Sequence, residues 1–329
     1  MLVEPSANPH SQAFTWAQVQ KELPGLIVAA SVVTLLWLLV AVLLLRRSQL
    51  RWSRIWPRQH FFALAWSPFQ VLLLWLFGLV ASSLAMQLQF WPAGWELFRY
   101  VQAMVMEAAV FVLVPIGLLQ VPAYQIGLAW SRWREDVVLS ALLGIPALGM
   151  TWTIWLAMVL LAPASEHKLV QDWQQSASWP NWCALALTAV VLAPLAEEVL
   201  FRGLILRTMA AEPFWADLIM LLALVAAIVQ GYGATTWGPV LFLVSVGPGY
   251  LAFEWLSRRI LPRPGLARAV YASSLIFAAV HADAWPAPVP LFFFSLILGT
   301  AAARTQRLLA PWLMHAAFNA TTVLALLGQ

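Results

Sequence analysis

The chain has 329 residues, of which 62% are hydrophobic and only 10% charged, and its mean hydropathy is +0.81. Soluble domains carry about 25% charged residues, so this composition excludes a water-soluble globule and points to an integral membrane protein. The net charge of +4 does not imply a nucleic-acid partner, because the basic residues follow membrane topology, as shown next; the expected partner is the lipid bilayer.

Residues 1–24 are polar and show neither a basic n-region nor a small-residue cleavage site, so no removable signal peptide is expected. Apolar runs of spanning length then recur near 25–45, 61–86, 100–123, 137–163, 182–206, 214–231, 238–256, 269–284, 287–303 and 311–327. They predict an all-α, polytopic transmembrane helical bundle of about 8–10 spans, some of them half-helices or re-entrant segments. With the N-terminus outside, the predicted inside loops hold Arg46, Arg47, Arg51, Arg54, Arg58, Arg132, Arg134, Arg202, Arg207, Arg258, Arg259, Arg263, Arg268, Arg304 and Arg307. Only Lys21, Arg99 and Lys168 remain outside, which is the positive-inside bias. Tryptophans near predicted span ends (Trp52, Trp56, Trp91, Trp95, Trp173, Trp179, Trp182, Trp312) read as interfacial anchors. The tryptophan content and the lack of retention signals favour a bacterial plasma membrane.

The organisation expected along the chain has three parts. Residues 1–136 form an N-terminal membrane region of about three spans, with the basic loop RRSQLRWSRIWPR at 46–58 and a single intramembrane acid, Glu107. Glu107 reads as a snorkelling or locally hydrogen-bonded carboxylate in preference to a partner of the second half. Residues 137–181 supply a span and the polar connection to the last part, 182–329, which carries the polar constellations. The single cysteine, Cys183, excludes an internal disulfide and a multi-thiolate zinc site. No histidine is near it in sequence, so it reads as a small core residue.

Three constellations stand out in the last part. PLAEEVLFRG, residues 194–203, places Glu197 and Glu198 in an apolar segment with Arg202 one turn beyond. Glu198 and Arg202 are four apart and share a helix face, so they can pair. Glu197 lies 100° round the helix and is left over. FAAVHAD, residues 277–283, puts His281 in an apolar helix one turn after Phe277 and two turns after Ser273-Ser274. LMHAAFNA, residues 313–320, puts His315 and Asn319 four apart on one face. Each alone is compatible with packing or interhelical hydrogen bonding. Depth joins them: at 1.5 Å per residue, Glu197 lies about 15 Å from Arg207, His315 about 12 Å from Arg307 and His281 about 20 Å from Arg268. All three fall between the inner interface and the bilayer middle, and ionisable groups gathered there are functional by default. A carboxylate, imidazoles and an amide suit attack of water on a carbonyl. A desolvated carboxylate is a better base near neutral pH, a histidine can hold the water, and His315 with Asn319 can donate to the oxyanion, at about 3–4 kcal/mol per donor.

In this order on successive apolar segments, EEVLFR (197–202), FAAVH (277–281) and HAAFN (315–319) resemble the motifs of the CPBP family. These are the CAAX prenyl proteases and bacteriocin-processing enzymes, also called the Abi or type II CAAX endopeptidase family. ASSLIFAAVH (272–281) and PWLMHAAFNA (311–320) are similar to the family's flanking sequence, and the resemblance covers about 180–325. It implies an intramembrane endopeptidase acting on a peptide or protein substrate, a prenylated C-terminal tail being the eukaryotic members' target. By motif position, Glu197 and His281 activate the water, His315 and Asn319 form the oxyanion hole, and Glu198 with Arg202 supports the site. The family, formerly classed as metalloproteases, is now described as glutamic; no metal or other cofactor is expected, although two carboxylates and two histidines have the chemistry to chelate zinc. The stretch between Glu198 and Phe277 is long and holds an additional apolar region, 214–256. Two other readings compete: a non-catalytic binding or scaffolding membrane protein that retains the motifs, and a proton-coupled transporter using the glutamates and His281 as a relay. The transporter reading lacks the matched, Gly/Pro-broken spans of inverted repeats and has no use for Asn319.

Overall fold

A backbone in hydrocarbon must satisfy its own hydrogen bonds, and the computed structural model contains helices and no strands among the residues it describes, 16–48, 52–57, 66–88, 90–161, 168–175, 178–231, 245–262 and 265–326. Helix α1 covers Trp16–Ser48 and is followed by a single turn, Trp52–Ile55. Helix α2, Pro68–Gln87, starts where Ser67 and Gln70 form a reciprocal capping box with Pro68 in the first turn. Helix α3, Phe98–Leu113, continues into a π turn at Val114–Leu118. Then come α4 (Trp133–Leu161), the short polar α5 (Lys168–Gln175), the long α6 (Trp179–Ala211) and α7 (Pro213–Gly231). The chain closes with α8 (Tyr250–Ser257), α9 (Leu266–Ala279), α10 (Pro288–Thr305) and α11 (Leu309–Leu326).

Among the described residues, five helices are long and apolar enough to cross a bilayer: Pro68–Gln87, Phe98–Leu118, Trp133–Val159, Trp179–Ala211 and Pro288–Thr305. Apolar helices short of that length run over Ala30–Leu44, Pro213–Val225 and Leu266–Ala279. The predicted apolar segments thus fall mostly on helices, with 61–65, 162–163, 238–244 and 327 outside the described residues. Some bounds differ from expectation. In the segment at 61–86 the described helix starts at Pro68, capped by Ser67. The one at 269–284 stops at Ala279, and 280–287 form turns.

The helices pack as antiparallel pairs around a shared core. In the α2–α3 hairpin a Cβ on Gly78 would stand 2.6 Å from the Phe111 ring, so glycine is what allows the two backbones to approach. Helix α1 rests on α4 and α11, and α4 also packs on α10. Helices α9 and α10 form a second hairpin, and α7 and α8, the additional region at 214–256, pack on α9. One core cluster joins Phe111 of α3, Ala196, Val199, Leu200 and Phe201 of α6, Phe277 of α9 and Phe294 of α10.

Polar contacts tie the ends of the bundle. At one end the Ser178 hydroxyl donates to the Gly94 carbonyl, Asn181 links Leu97 N–H to the Glu96 carboxylate, and Asp172 accepts from Arg99 and Tyr100. At the other, Arg307 binds Asp136 through a buried bidentate pair at 2.6–2.9 Å. Arg207 donates to the Gln306 side chain and carbonyl, and Arg304 donates to the Ile260 carbonyl. This corrects one expectation. Arg202, Arg207, Arg304 and Arg307, counted above as loop cations, are buried inside the protein. Desolvated guanidinium groups demand acceptors, and the helix ends and Asp136 supply them.

Candidate active site

Helix α6 is not a uniform α-helix. Two π turns, Leu187–Leu192 and Val199–Ile205, flank the α-helical stretch Ala193–Glu198 that ends in the glutamate pair. Such widened turns recur at functional sites because they re-aim side chains. Here Ala193 N–H bonds back to the Thr188 carbonyl, an i to i−5 step. The next donor in that ladder would be residue 194, which is proline and has no N–H. The carbonyl it would have met is that of Ala189, and Asn319 of α11 fills the gap: its Nδ2 donates to Ala189 O at 2.7 Å. About two turns earlier on α11, Trp312 donates its indole N–H to Val191 O at 3.1 Å. Side chains of α11 therefore complete the hydrogen bonding of the broken turn. At the other π turn, Gly203 is required by space, since a Cβ there would stand 2.8 Å from the Ile126 carbonyl oxygen.

The two glutamates occupy different environments. Glu198 and Arg202 form the expected i,i+4 pair at 2.9 Å, both side chains 0% exposed. The guanidinium reaches on to Ser295 Oγ of α10 at 2.8 Å and lies 4.5 Å from the centre of the Phe277 ring, a cation–π contact. His315 Nδ1 meets the same Glu198 oxygen, Oε1, at 2.9 Å. A carboxylate oxygen only accepts, so Nδ1 carries the proton. The opposite nitrogen, Nε2, faces Glu197 Oε2 at 3.6 Å, too long for a hydrogen bond. Glu197 retains 27% exposure. One carboxylate is thus locked into the core and the other faces open space. Glu197 Oε2 and Glu198 Oε2 are both buried atoms with no hydrogen-bond partner. A small cleft lined by Gly127–Trp130, Leu195, Val199, Leu308, Leu309 and Trp312 reaches Glu198.

His281 lies in the turn after α9, not within the helix as its apolar surroundings suggested. Its Nδ1 is 2.8 Å from the Phe277 carbonyl, one of the last carbonyls of α9, which have no partner within the helix. A carbonyl only accepts, so Nδ1 bears the proton and Nε2 presents its lone pair. Phe277, fully buried, touches both imidazoles, at 4.8 Å from His281 and 5.6 Å from His315 between ring centres. The spacing Phe-x-x-x-His therefore has two uses, a carbonyl for His281 and a ring beneath Arg202. Ser273 and Ser274 take no part; both hydroxyls donate to the Val270 carbonyl.

Glu198 contacts both Arg202 and His315, and Glu197 lies 3.6 Å from the same imidazole. His281 joins them through Phe277, and Asn319 through the Ala189 carbonyl. Among the described residues no hydrogen bond or ion pair links His281 or Asn319 to either glutamate. Ser295, which shares Arg202 with Glu198, was not anticipated; a lone hydroxyl in the run LFFFSLIL is its only sequence signal. Cys183 is half-buried.

Glu198 sits on the Nδ1 edge of His315 and Glu197 on the Nε2 edge, so one cation cannot take both carboxylates together with that imidazole. Among the described residues no three His, Cys, Asp or Glu side chains converge as ligands.

Residues 179–262 and 249–321 match the family model described as Type II CAAX prenyl endopeptidase Rce1-like. Comparison with curated proteins and with solved structures gives no match.

Proposed function

We propose, from the premise that residues 179–321 form a domain of the Rce1-like type II CAAX prenyl endopeptidase family, that this protein hydrolyses peptide bonds with a water activated by Glu197 and His281. The observation that supports this most directly is the asymmetry of the glutamate pair. Glu198 is fully buried, with Oε1 held by both Arg202 and His315, whereas Glu197 is 27% exposed and has no contact as short as those two. A general base has to reach its water, and only Glu197 is free to do so.

Each other residue then has a task. His281, its tautomer set by the Phe277 carbonyl, offers Nε2 to a hydrogen of the water and orients it. Glu197 takes the proton as the water oxygen bonds to the scissile carbonyl carbon, and the carbonyl electrons move to its oxygen. The second amide hydrogen of Asn319 donates to that oxyanion, as does the Nε2–H of His315 in its doubly protonated form, the Nδ1–H remaining on Glu198. Neither donor has to reorganise, because Glu198 fixes one and Ala189 O the other, which is the condition under which such donors act strongly. Collapse of the intermediate breaks the C–N bond, and the proton on Glu197 passes to the departing amine. The substrate is a peptide or protein segment delivered within the bilayer; a prenylated C-terminal tail is the case that the family description indicates.

Digestion of a defined peptide mixture, prenylated and unprenylated, by purified protein tests the reading, with new termini identified by mass spectrometry. Wild-type protein is expected to generate discrete termini that a Glu197→Gln variant does not. Identical products from both, or none from wild type with any peptide, overturns it.

A further inference from the structure

Helix α10 is apolar from Pro288 to Gly299 except for one side chain, Ser295. A hydroxyl buried in such a helix commonly donates back to a carbonyl three or four residues earlier, as those of Ser273, Ser274 and Thr305 do. Ser295 Oγ points across to α6, where it accepts from Arg202 Nη2 at 2.8 Å. The preceding residue, Phe294, sets its ring edge-on to the His315 imidazole, 6.1 Å between centres. Two consecutive residues of α10 thus address two members of the site.

The guanidinium depends on this contact. Among the described residues its hydrogen-bond acceptors are Glu198 Oε1 at 2.9 Å and Ser295 Oγ, and its Nε–H is buried without one. The Phe277 ring, centred 4.5 Å from the guanidinium carbon, supports one face. Two acceptors orient the planar group; with one, it can turn about the remaining bond. The Glu198 oxygen that receives Arg202 is also the one that meets His315 Nδ1–H, at 2.9 Å. A turn of Arg202 therefore shifts Oε1, and Oε1 shifts the imidazole. Ser295, Arg202, Glu198 and His315 are each at most 3% exposed, so bulk water cannot replace a lost acceptor.

We propose that Ser295 is a positioning residue for the reaction, which through Arg202 and Glu198 fixes the orientation of the His315 imidazole. This rests on His315 donating to the oxyanion, as read above. Ser295 acts only through Arg202, so its loss falls on kcat and not on KM. A displaced oxyanion donor leaves ground-state binding as before and weakens only the transition state.

The test compares the full-length wild type with Ser295→Ala and Ser295→Thr. Ser295→Ala is expected to lower kcat for peptide cleavage about ten-fold or more, the scale of one lost hydrogen bond to a charged group, with KM within about two-fold of wild type. Ser295→Thr keeps the hydroxyl and is expected to restore most of kcat. An alanine variant with wild-type kcat overturns the proposal, as does a threonine variant that melts like wild type yet is as slow as alanine. Ring 15N signals of the five histidines, assigned with His281→Gln and His315→Gln, give a readout free of turnover. In Ser295→Ala the His315 signals are expected to move, while those of His281, held by the Phe277 carbonyl, stay in place. Unchanged His315 signals in an alanine variant of lowered melting temperature make Ser295 a packing residue and overturn the proposal. If wild type cleaves no peptide, the peptidase reading fails by itself, and the His315 signals still decide whether Ser295 holds the ring.

Discussion

Glu198 and Arg202 show how a single pair of residues is selected. Both are fully buried, and each is the other's charge partner. A buried pair that loses one member leaves an uncompensated charge, at a cost of about 3–5 kcal/mol. Glu198→Gln or Arg202→Ala is therefore expected to lower detergent stability at least as much as it lowers turnover. Thermal melts of both variants coinciding with wild type would contradict the pair. Glu197→Gln is expected to melt like wild type, since Glu197 is part-exposed and makes no hydrogen bond. The i,i+4 rule made the pair legible in the sequence and identified Glu197 as the acid left over. It did not reveal Ser295 or the bridging position of His315, because both depend on which helices meet. His281 was legible as a residue but not in its setting. An apolar run continuing to 284 hid the helix end that its own side chain caps.

At the scale of the element, α6 depends on a contact that no local pattern discloses. Pro194 removes a donor from the first π turn, and Asn319 replaces it on the Ala189 carbonyl. Burying an acceptor without its partner costs about 1–3 kcal/mol. Asn319→Leu is expected to lose about that much stability, together with oxyanion stabilisation. Asn319→Gln, reaching from a longer stem, should restore less than wild-type function. A stability curve for Asn319→Leu identical to wild type would show that the amide is not a structural replacement for the proline. Apolar length and turn residues made most helices legible. The π turns were not, because they change backbone register without changing composition. The staple at 94–100 is a second element-scale device. Its Glu96 carboxylate is held below the usual glutamate range by the Asn181 side chain and by the Gly94 N–H. A depressed pKa means that the contribution is present above the ordinary value of about 4.3 and is lost as pH falls through the folded value. Melting temperature should therefore decline on acidification below that range, and decline less in Asn181→Leu. Parallel curves would remove Glu96 from the account.

Across the whole molecule, the family-matched residues do not stand alone. Asp136 of α4 binds Arg307, α3 packs on the glutamate-bearing helix, and α1 lies against α11. Composition made the membrane setting legible, and three spaced motifs made most of the site legible. The arginines at 202, 207, 304 and 307 were misplaced because charge alone does not separate a loop cation from one bound in the interior. The division at residue 136 remains a proposal about organisation, and the packing of α3 on α6 shows that contacts cross it. The central claim is that Glu197, without a metal, activates the water. The direct measurement is peptide cleavage by protein taken through prolonged chelation and assayed for metal content, wild type beside Glu197→Gln. The account predicts full wild-type activity at substoichiometric metal and a loss of about 10²–10⁴-fold in the variant. Stoichiometric zinc whose removal abolishes activity and whose return restores it would contradict the account, as would a Glu197→Gln variant retaining more than about a tenth of wild-type activity.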